Sequence, residues 1–289
     1  MHPCGTSRQV SNKLFYWSKL QAVNGTFARH VCEGSRAIQT LCACPITMPY
    51  NKDLAYIHDA GFTESARQAA DTVLKLLREK KIKSGLVVDL GCGSGVLADR
   101  LTREGFDVLG VDISEAMLKL ARKRAPKAKF KRGSLFRTRL SKSVAVTAIG
   151  ECVNYLFDPG GTALLANFFR RVYRALLPGG VFVFDIVEPG STPKPSILHC
   201  EGKDKAKDWA VLVSKEEDAR RRVLTRRMTI FRKVGRQYRR SQEVHRQRLY
   251  PPAQVARKLK TAGFNVSRLP GYGKEPFAPG RSGFAAWKP

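Results

Sequence analysis

Leu86-Val87-Val88-Asp89-Leu90-Gly91-Cys92-Gly93-Ser94-Gly95 begins as a short apolar run, β-branched at Val87 and Val88, and ends in three alternating glycines. Such a run, without polar alternation, reads as a strand buried on both faces of a parallel sheet. A helical pattern follows from Val96 to about Glu104. Strand, glycine turn and helix make a nucleotide site. Glycine lets the backbone approach a ligand closely, and the helix N-terminus presents unpaired N–H groups there. Spacing narrows the nucleotide. A dinucleotide fingerprint needs Gly-x-Gly-x-x-Gly or Ala, but Val96 stands in the last place, so a dinucleotide turn would need a variant third glycine. A P-loop needs Gly-Lys-Ser or Gly-Lys-Thr, and neither follows here.

Outward from this turn, strands and helices alternate. A second strand, Phe106–Asp112, places Asp112 at its carboxyl end, where an acidic side chain in nucleotide-binding α/β folds takes the ribose hydroxyls. A carboxylate suits that task because it accepts from two adjacent hydroxyls at once. Ser114 can cap the next helix, which Pro126 ends. Further strands are expected near Ala128–Lys131, Val144–Gly150 and Val181–Val187, with a helix over Thr162–Leu176. Leu177-Pro178-Gly179-Gly180 turns that helix end tightly into the fifth strand, since proline forbids its continuation. A helix over Pro252–Ala262 and strands Phe264–Leu269 and Gly283–Lys288 close the chain.

Asp-Leu-Gly-x-Gly-x-Gly at Asp89–Gly95 resembles motif I of the class I S-adenosylmethionine-dependent methyltransferases. Two further blocks are similar to small bacterial methyltransferases of the broad domain-25/domain-11 kind: Leu-x-Pro-Gly-Gly before the fifth strand, and Gly-Glu-x-x-Asn-Tyr-Leu at Gly150–Leu156. The resemblance implies an α/β, Rossmann-like sheet of seven strands with the last antiparallel. It also implies S-adenosylmethionine as cofactor, S-adenosylhomocysteine as product, and no metal. Asp89, Gly91, Cys92, Gly93 and Gly95 would then meet the methionine portion and ribose, with Asp112 on the ribose and Ile113 and Met117 flanking the adenine. Ser134 stands where the family commonly has an acidic or amide residue for the adenine amino group, which shifts that recognition toward the backbone near Leu135. A second departure is Ser143-Val144, where an aspartate often begins the fourth strand.

Methyl transfer from a sulfonium is a one-step displacement, so alignment and desolvation dominate and no covalent nucleophile is required. An acceptor amine or hydroxyl needs a base, for which Glu151, His58 and His245 are the candidates. Glu151 is also a candidate cofactor contact, and Asn154 and Tyr155 are candidates for facing the acceptor. No Asn/Asp-Pro-Pro-Tyr/Phe and no Pro-Cys follows the fourth strand. Their absence argues against exocyclic base amines and cytosine C5 and leaves a small-molecule acceptor, through N or O. An RNA methyltransferase exploiting a basic surface and a non-catalytic S-adenosylmethionine-binding protein are the alternatives.

The 289 residues carry a formal charge of +28. That balance permits nucleic-acid contact, but no module interleaving basic and stacking residues appears, and solvated surface is the simpler reading. No apolar run approaches the ~18 residues of a membrane span. Seven cysteines without metal-ligand spacing point to a reducing, cytoplasmic setting. Residues 1–47 hold one acidic residue, Glu33, and little periodicity; they read as a disordered or mis-annotated extension, with Met48 the expected start of a methyltransferase domain over 48–289. Within it, Tyr56–Phe62 and the helix Glu64–Lys80 resemble an N-terminal lid. Residues 190–250 form an insertion that opens on a Pro/Gly/Ser/Thr stretch. Strand-like runs at Trp209–Ser214, Val223–Val234 and Tyr238–Leu249 make it an antiparallel sheet. Placed after the fifth strand, it would be a substrate lid or, in a homodimer rather than a monomer, a dimer ribbon.

Overall fold

Val87 and Val88 point to opposite faces of one strand and are both fully buried, so the sheet containing them is covered on both sides. The computed structural model describes residues 49–157, 162–192, 194, 196–202 and 208–289; the proposed extension 1–47 and start at Met48 lie outside these. In chain order the elements are α1 (Lys52–Gly61), α2 (Glu64–Glu79), β1 (Leu86–Leu90), α3 (Val96–Arg103), β2 (Asp107–Asp112), α4 (Glu115–Arg124), β3 (Lys129–Arg132) and β4 (Ser143–Ala148). A 3-10 turn at Cys152–Asn154, α5 (Thr162–Ala175) and β5 (Leu176–Val187) follow. Next come β6 (Ser196–Glu201), β7 (Trp209–Asp218), β8 (Val223–Val234) and β9 (Gln237–Arg248). The chain closes with α6 (Pro252–Thr261), β10 (Asn265–Leu269), β11 (Gly271–Tyr272), β12 (Glu275–Pro276) and β13 (Arg281–Trp287).

Seven strands form the main sheet in the order β10-β13-β5-β4-β1-β2-β3. β1 to β5 pair in parallel, and β13 runs antiparallel to both β5 and β10. On one face α5 and α6 bring Phe168, Phe169, Val172, Val255 and Leu259 onto Val88, Val146, Phe182 and Phe184. On the other, α2 and α3 bring Ala70, Val73, Leu77, Leu97 and Leu101 onto Val87, Ala145, Val181 and Val183. Consecutive residues of β1 and β5 thus serve opposite cores. Each large side chain so buried contributes roughly 1.5–3 kcal/mol.

Three local features differ from the sequence reading. Tyr56–Phe62, expected as a lead-in segment, belongs mostly to a helix, α1, which buries Leu54, Ala55 and Ile57. β5 begins at Leu176 rather than Val181, because the Leu-Pro-Gly-Gly residues are accommodated as a register shift: Ser143 pairs with Leu176, but Ala145 with Val181. Gly180 has no room for a Cβ there, since one would lie 2.9 Å from the carbonyl oxygens of both Leu177 and Val144. β6, unread in the sequence, adds a fourth strand to the insertion.

That insertion is a separate antiparallel sheet, β6-β7-β8-β9. It leaves the main sheet after Val187 and returns beside it, where Tyr250 N–H donates to Val187 O at 3.3 Å. Among the described residues, no helix is long and apolar enough to cross a membrane.

Candidate active site

Three turns meet at the carboxyl ends of β1, β2 and β4, where an open α/β sheet offers its ligand crevice. After β1, Gly91 and Cys92 N–H groups donate to Val111 O at 2.7 and 3.1 Å, folding the loop across β2. Gly93 has a left-handed φ of +53°, and a Cβ added to it would meet nothing within 4 Å, so the loop presents bare backbone to open space. Gly95 serves packing: its missing side chain lets α3 approach α4, where a Cβ would lie 3.0 Å from Ala121. After β2, the Asp112 carboxylate accepts from Gly93 N–H at 2.9 Å and Ser114 N–H at 2.8 Å. Burial pushes its pKa up. Lone pairs on both oxygens remain for hydroxyl donors. Asp89 accepts from Thr147 Oγ1 at 2.7 Å. Burial pushes Asp89 up to about 7, against the Thr147 hydrogen bond and with help from the Asp112 charge.

Ser114 takes the predicted cap, accepting from Met117 N–H at 3.2 Å, and its hydroxyl also donates to Tyr50 O at 2.7 Å. Met117 is buried and Ile113 half-buried beside it. At the end of β3 the chain bonds back, Gly133 N–H to Asp112 O at 2.9 Å, and Ser134 Oγ accepts from Phe136 N–H at 3.1 Å, with Leu135 half-buried between them. A bare-backbone loop beside a buried carboxylate with spare acceptors fits the ribose and amino-acid ends of S-adenosylmethionine.

After β4 the backbone turns through two left-handed residues, Gly150 (φ 86°) and Glu151 (φ 62°). A non-glycine residue there is strained and persists only where its surroundings hold it. Asp185 does so from β5: its Oδ1 accepts from Gly150 N–H and its Oδ2 from Glu151 N–H, both at 2.9 Å. Tyr272 OH at 2.8 Å and Arg281 at 2.6 Å complete the fully buried carboxylate's shell. The Glu151 side chain then reaches the insertion, accepting from Arg226 at 2.9 Å and Gln247 Nε2 at 3.0 Å. Burial alone would raise the Glu151 pKa, but Arg226, Arg281 and the Gln247 hydrogen bond outweigh it and hold it at about 2. Such a carboxylate is a poor base.

The remaining candidates separate. Tyr155 lies beside β9, bridging Gln247, and its hydroxyl meets Tyr50 OH at 3.0 Å. His245 sits among the rings of Tyr50, Tyr155 and Phe157, with centroids 5.0, 5.7 and 5.5 Å away, and its Nε2 lies 2.9 Å from the Glu243 carboxylate. His58 lies on α1, edge-on to Tyr50, with Nδ1 buried and unpartnered; burial lowers its pKa to about 4. Asn154 does not face an acceptor. It is fully buried, its amide donates to Val187 O and Arg248 O, and its carbonyl accepts from Val187 N–H, so every group is spent on the backbone.

Sequence reasoning passed over Tyr50, Asp185, Arg226, Glu243 and Gln247. A signal for the last four existed. Asp185 interrupts the apolar run Val181–Val187, where a buried charge demands partners. Arg226 shares the period-two inner face of β8 with Leu224, Met228 and Ile230, and Glu243, His245 and Gln247 share that of β9. Tyr50 left no comparable trace.

A methyltransferase-domain family matches residues 87–180, which run from β1 to the glycines inside β5. The chain is 28% identical over 203 residues to the putative methyltransferase YqeM of Bacillus subtilis, covering 65% of this chain and 76% of that one. It is 28% identical over 231 residues to the dTDP-3-amino-3,4,6-trideoxy-alpha-D-glucopyranose N,N-dimethyltransferase of Streptomyces venezuelae, covering 77% and 94% respectively. The crystal structure of an S-adenosylmethionine-dependent methyltransferase from Clostridium acetobutylicum shares the fold, with a TM-score of 0.68 at 21% identity over 81% of this chain and 97% of that one. The family match, the relatives, the strand order with its reversed strand β13 and the glycine turn together support a class I S-adenosylmethionine-dependent methyltransferase.

Proposed function

We propose that the protein methylates an amino nitrogen of a small hydroxylated acceptor, with the β6–β9 sheet as the lid over that acceptor. The observation that carries this reading is the Glu243–His245 pair inside the box of Tyr50, Tyr155 and Phe157. An amine arrives largely as ammonium and must lose a proton before its lone pair can attack. With His245 Nε2 donating to Glu243, Nδ1 carries the imidazole lone pair and takes that proton. An unactivated hydroxyl is far less acidic and matches an imidazole base poorly. The aminosugar N,N-dimethyltransferase relative supports an amine acceptor.

S-adenosylmethionine supplies an electrophilic methyl group on its sulfonium. Asp89 and the Gly91–Gly95 loop, with Cys92, hold its methionine portion and ribose, and Asp112 holds the ribose hydroxyls. Ile113 and Met117 flank the adenine, and Ser134 and Leu135 meet its edge. Glu151 acts as a tie between core and lid rather than as a base. His58, its imidazole neutral, packs the N-terminal helix. Free thiols at Cys92 and Cys152 support a reducing, cytoplasmic setting. Part of the insertion's positive charge is structural, since Arg232 and Arg239 pair with Asp53 and Arg226 with Glu151. That supports a small acceptor over RNA.

Mass spectrometry of reactions with S-adenosylmethionine and a dTDP-linked 3-amino-deoxyhexose tests the reading. A product heavier by one or two methyl groups is expected, with none from the 3-hydroxy counterpart. Methylation of the hydroxy sugar, or of RNA in place of both, would count against it.

A further inference from the structure

Glu243 belongs to the insertion, yet its carboxylate also grips the segment that crosses the cofactor end of the main sheet. Oε2 accepts from Tyr50 N–H and Oε1 from Asn51 N–H, both at 2.8 Å, and the side chain is buried. Tyr50 is left-handed (φ 52°), a strained conformation for a tyrosine that needs external support. Its carbonyl oxygen, on the other side of the same residue, accepts from Ser114 Oγ, and Ser114 N–H donates to Asp112. A continuous path of hydrogen bonds therefore runs from β9 through Glu243, Tyr50 and Ser114 to Asp112. The same carboxylate orients His245.

We infer that Glu243 is a positioning residue for the cofactor: from the acceptor lid it fixes Tyr50 over the Asp112–Ser114 turn, so that cofactor binding and lid closure favour one another. This rests on the reading of the Gly91–Gly95 loop and Asp112 as the cofactor seat. Coupling between two sites is reciprocal, so each ligand shifts the other's affinity by the same factor. A glutamine at this position keeps the shape but turns one carboxylate oxygen into an N–H donor, which then faces a backbone N–H donor.

Isothermal titration with S-adenosylhomocysteine, in the absence of any acceptor, isolates the cofactor side. Glu243→Gln is expected to weaken binding about tenfold, as the loss of a charge-assisted hydrogen bond does. Ser114→Ala cuts the same path, so the double variant should bind no more weakly than the weaker single variant, whereas independent effects would multiply. Binding by Glu243→Gln equal to that of the wild type, or multiplying effects, overturns the inference. Wild-type protein that binds no S-adenosylhomocysteine overturns the cofactor seat itself and this inference with it. Hydrogen exchange on the wild type covers the case of a variant that does not fold. S-adenosylhomocysteine should slow exchange at Tyr50, Asn51 and along Gln237–Arg248, and protection confined to the glycine loop and Asp112 overturns the coupling.

Discussion

The two larger sheets of this molecule use their buried polar groups differently. The main sheet covers both faces with Val, Phe, Leu and Ala, and Asp185, fully buried within it, makes five hydrogen bonds. In the insertion, Arg226, Glu243, His245 and Gln247 are buried on the inner faces of β8 and β9, in the same sheet as the buried Val211, Val213, Leu224, Met228 and Ile230. One sheet gains stability from area removed from water, and its buried charge is a pin. The other places polar groups where they cost desolvation, which they recover by pairing with Glu151 and Tyr50 across the gap. Apolar cover on the main sheet and paired polar groups on the insertion thus meet at a few named atoms.

The comparison breaks most visibly at Asp185. Asp185→Ala leaves Arg281 buried without its carboxylate and the strained Gly150–Glu151 turn without its anchor. It should destabilise the protein by about 3–5 kcal/mol, read by urea denaturation. A loss below 1 kcal/mol would mean that the turn holds itself. Asp112→Ala tests the cofactor end of the same sheet. S-adenosylhomocysteine should raise the melting temperature of the wild type, and NAD should not, because only a ligand bound by the native state stabilises it. The variant should lose about 3 kcal/mol of binding and most of that shift.

The smallest effect is a pH dependence. The folded-state pKa of Asp89, about 7, lies above its ordinary 3.8, so the folded protein holds a proton that the unfolded chain releases. Stability from this group is therefore present at acid pH and lost as pH rises toward 7. Cofactor binding works the other way, because the ligand's ammonium favours the ionised carboxylate. Affinity for S-adenosylhomocysteine should rise between pH 6 and 8, by less than tenfold per unit. Asp89→Asn should flatten that profile, and a flat wild-type profile would remove Asp89 from the site.

What the sequence disclosed follows the same division. β1, β2, β4 and α2 to α6 were legible because hydrophobic period and turn chemistry are local. Asp112 was legible because its distance from the glycine turn is set by one strand–helix–strand unit. Asn154 was legible as a member of a block but not in its role, since its partners Val187 and Arg248 are 33 and 94 residues away. Tyr50 is held by a carboxylate 193 residues downstream, and no local pattern carries that. α1 was obscured for the same reason: Asp53 pairs with Arg232 and Arg239, and Tyr56 bonds to Asp208, all in or beside the insertion.

The clamp at Asn154 carries a consequence for how this enzyme diversifies. By gripping Val187 and Arg248 together, it fastens the two ends of a sixty-residue excursion at one spot on the rim of the main sheet, as a hasp closes a loop of chain. Everything between those ends can lengthen, shorten or trade sequence without altering the strand order beneath. A change of acceptor is therefore expected to fall within this excursion, while the strands beneath stay as they are.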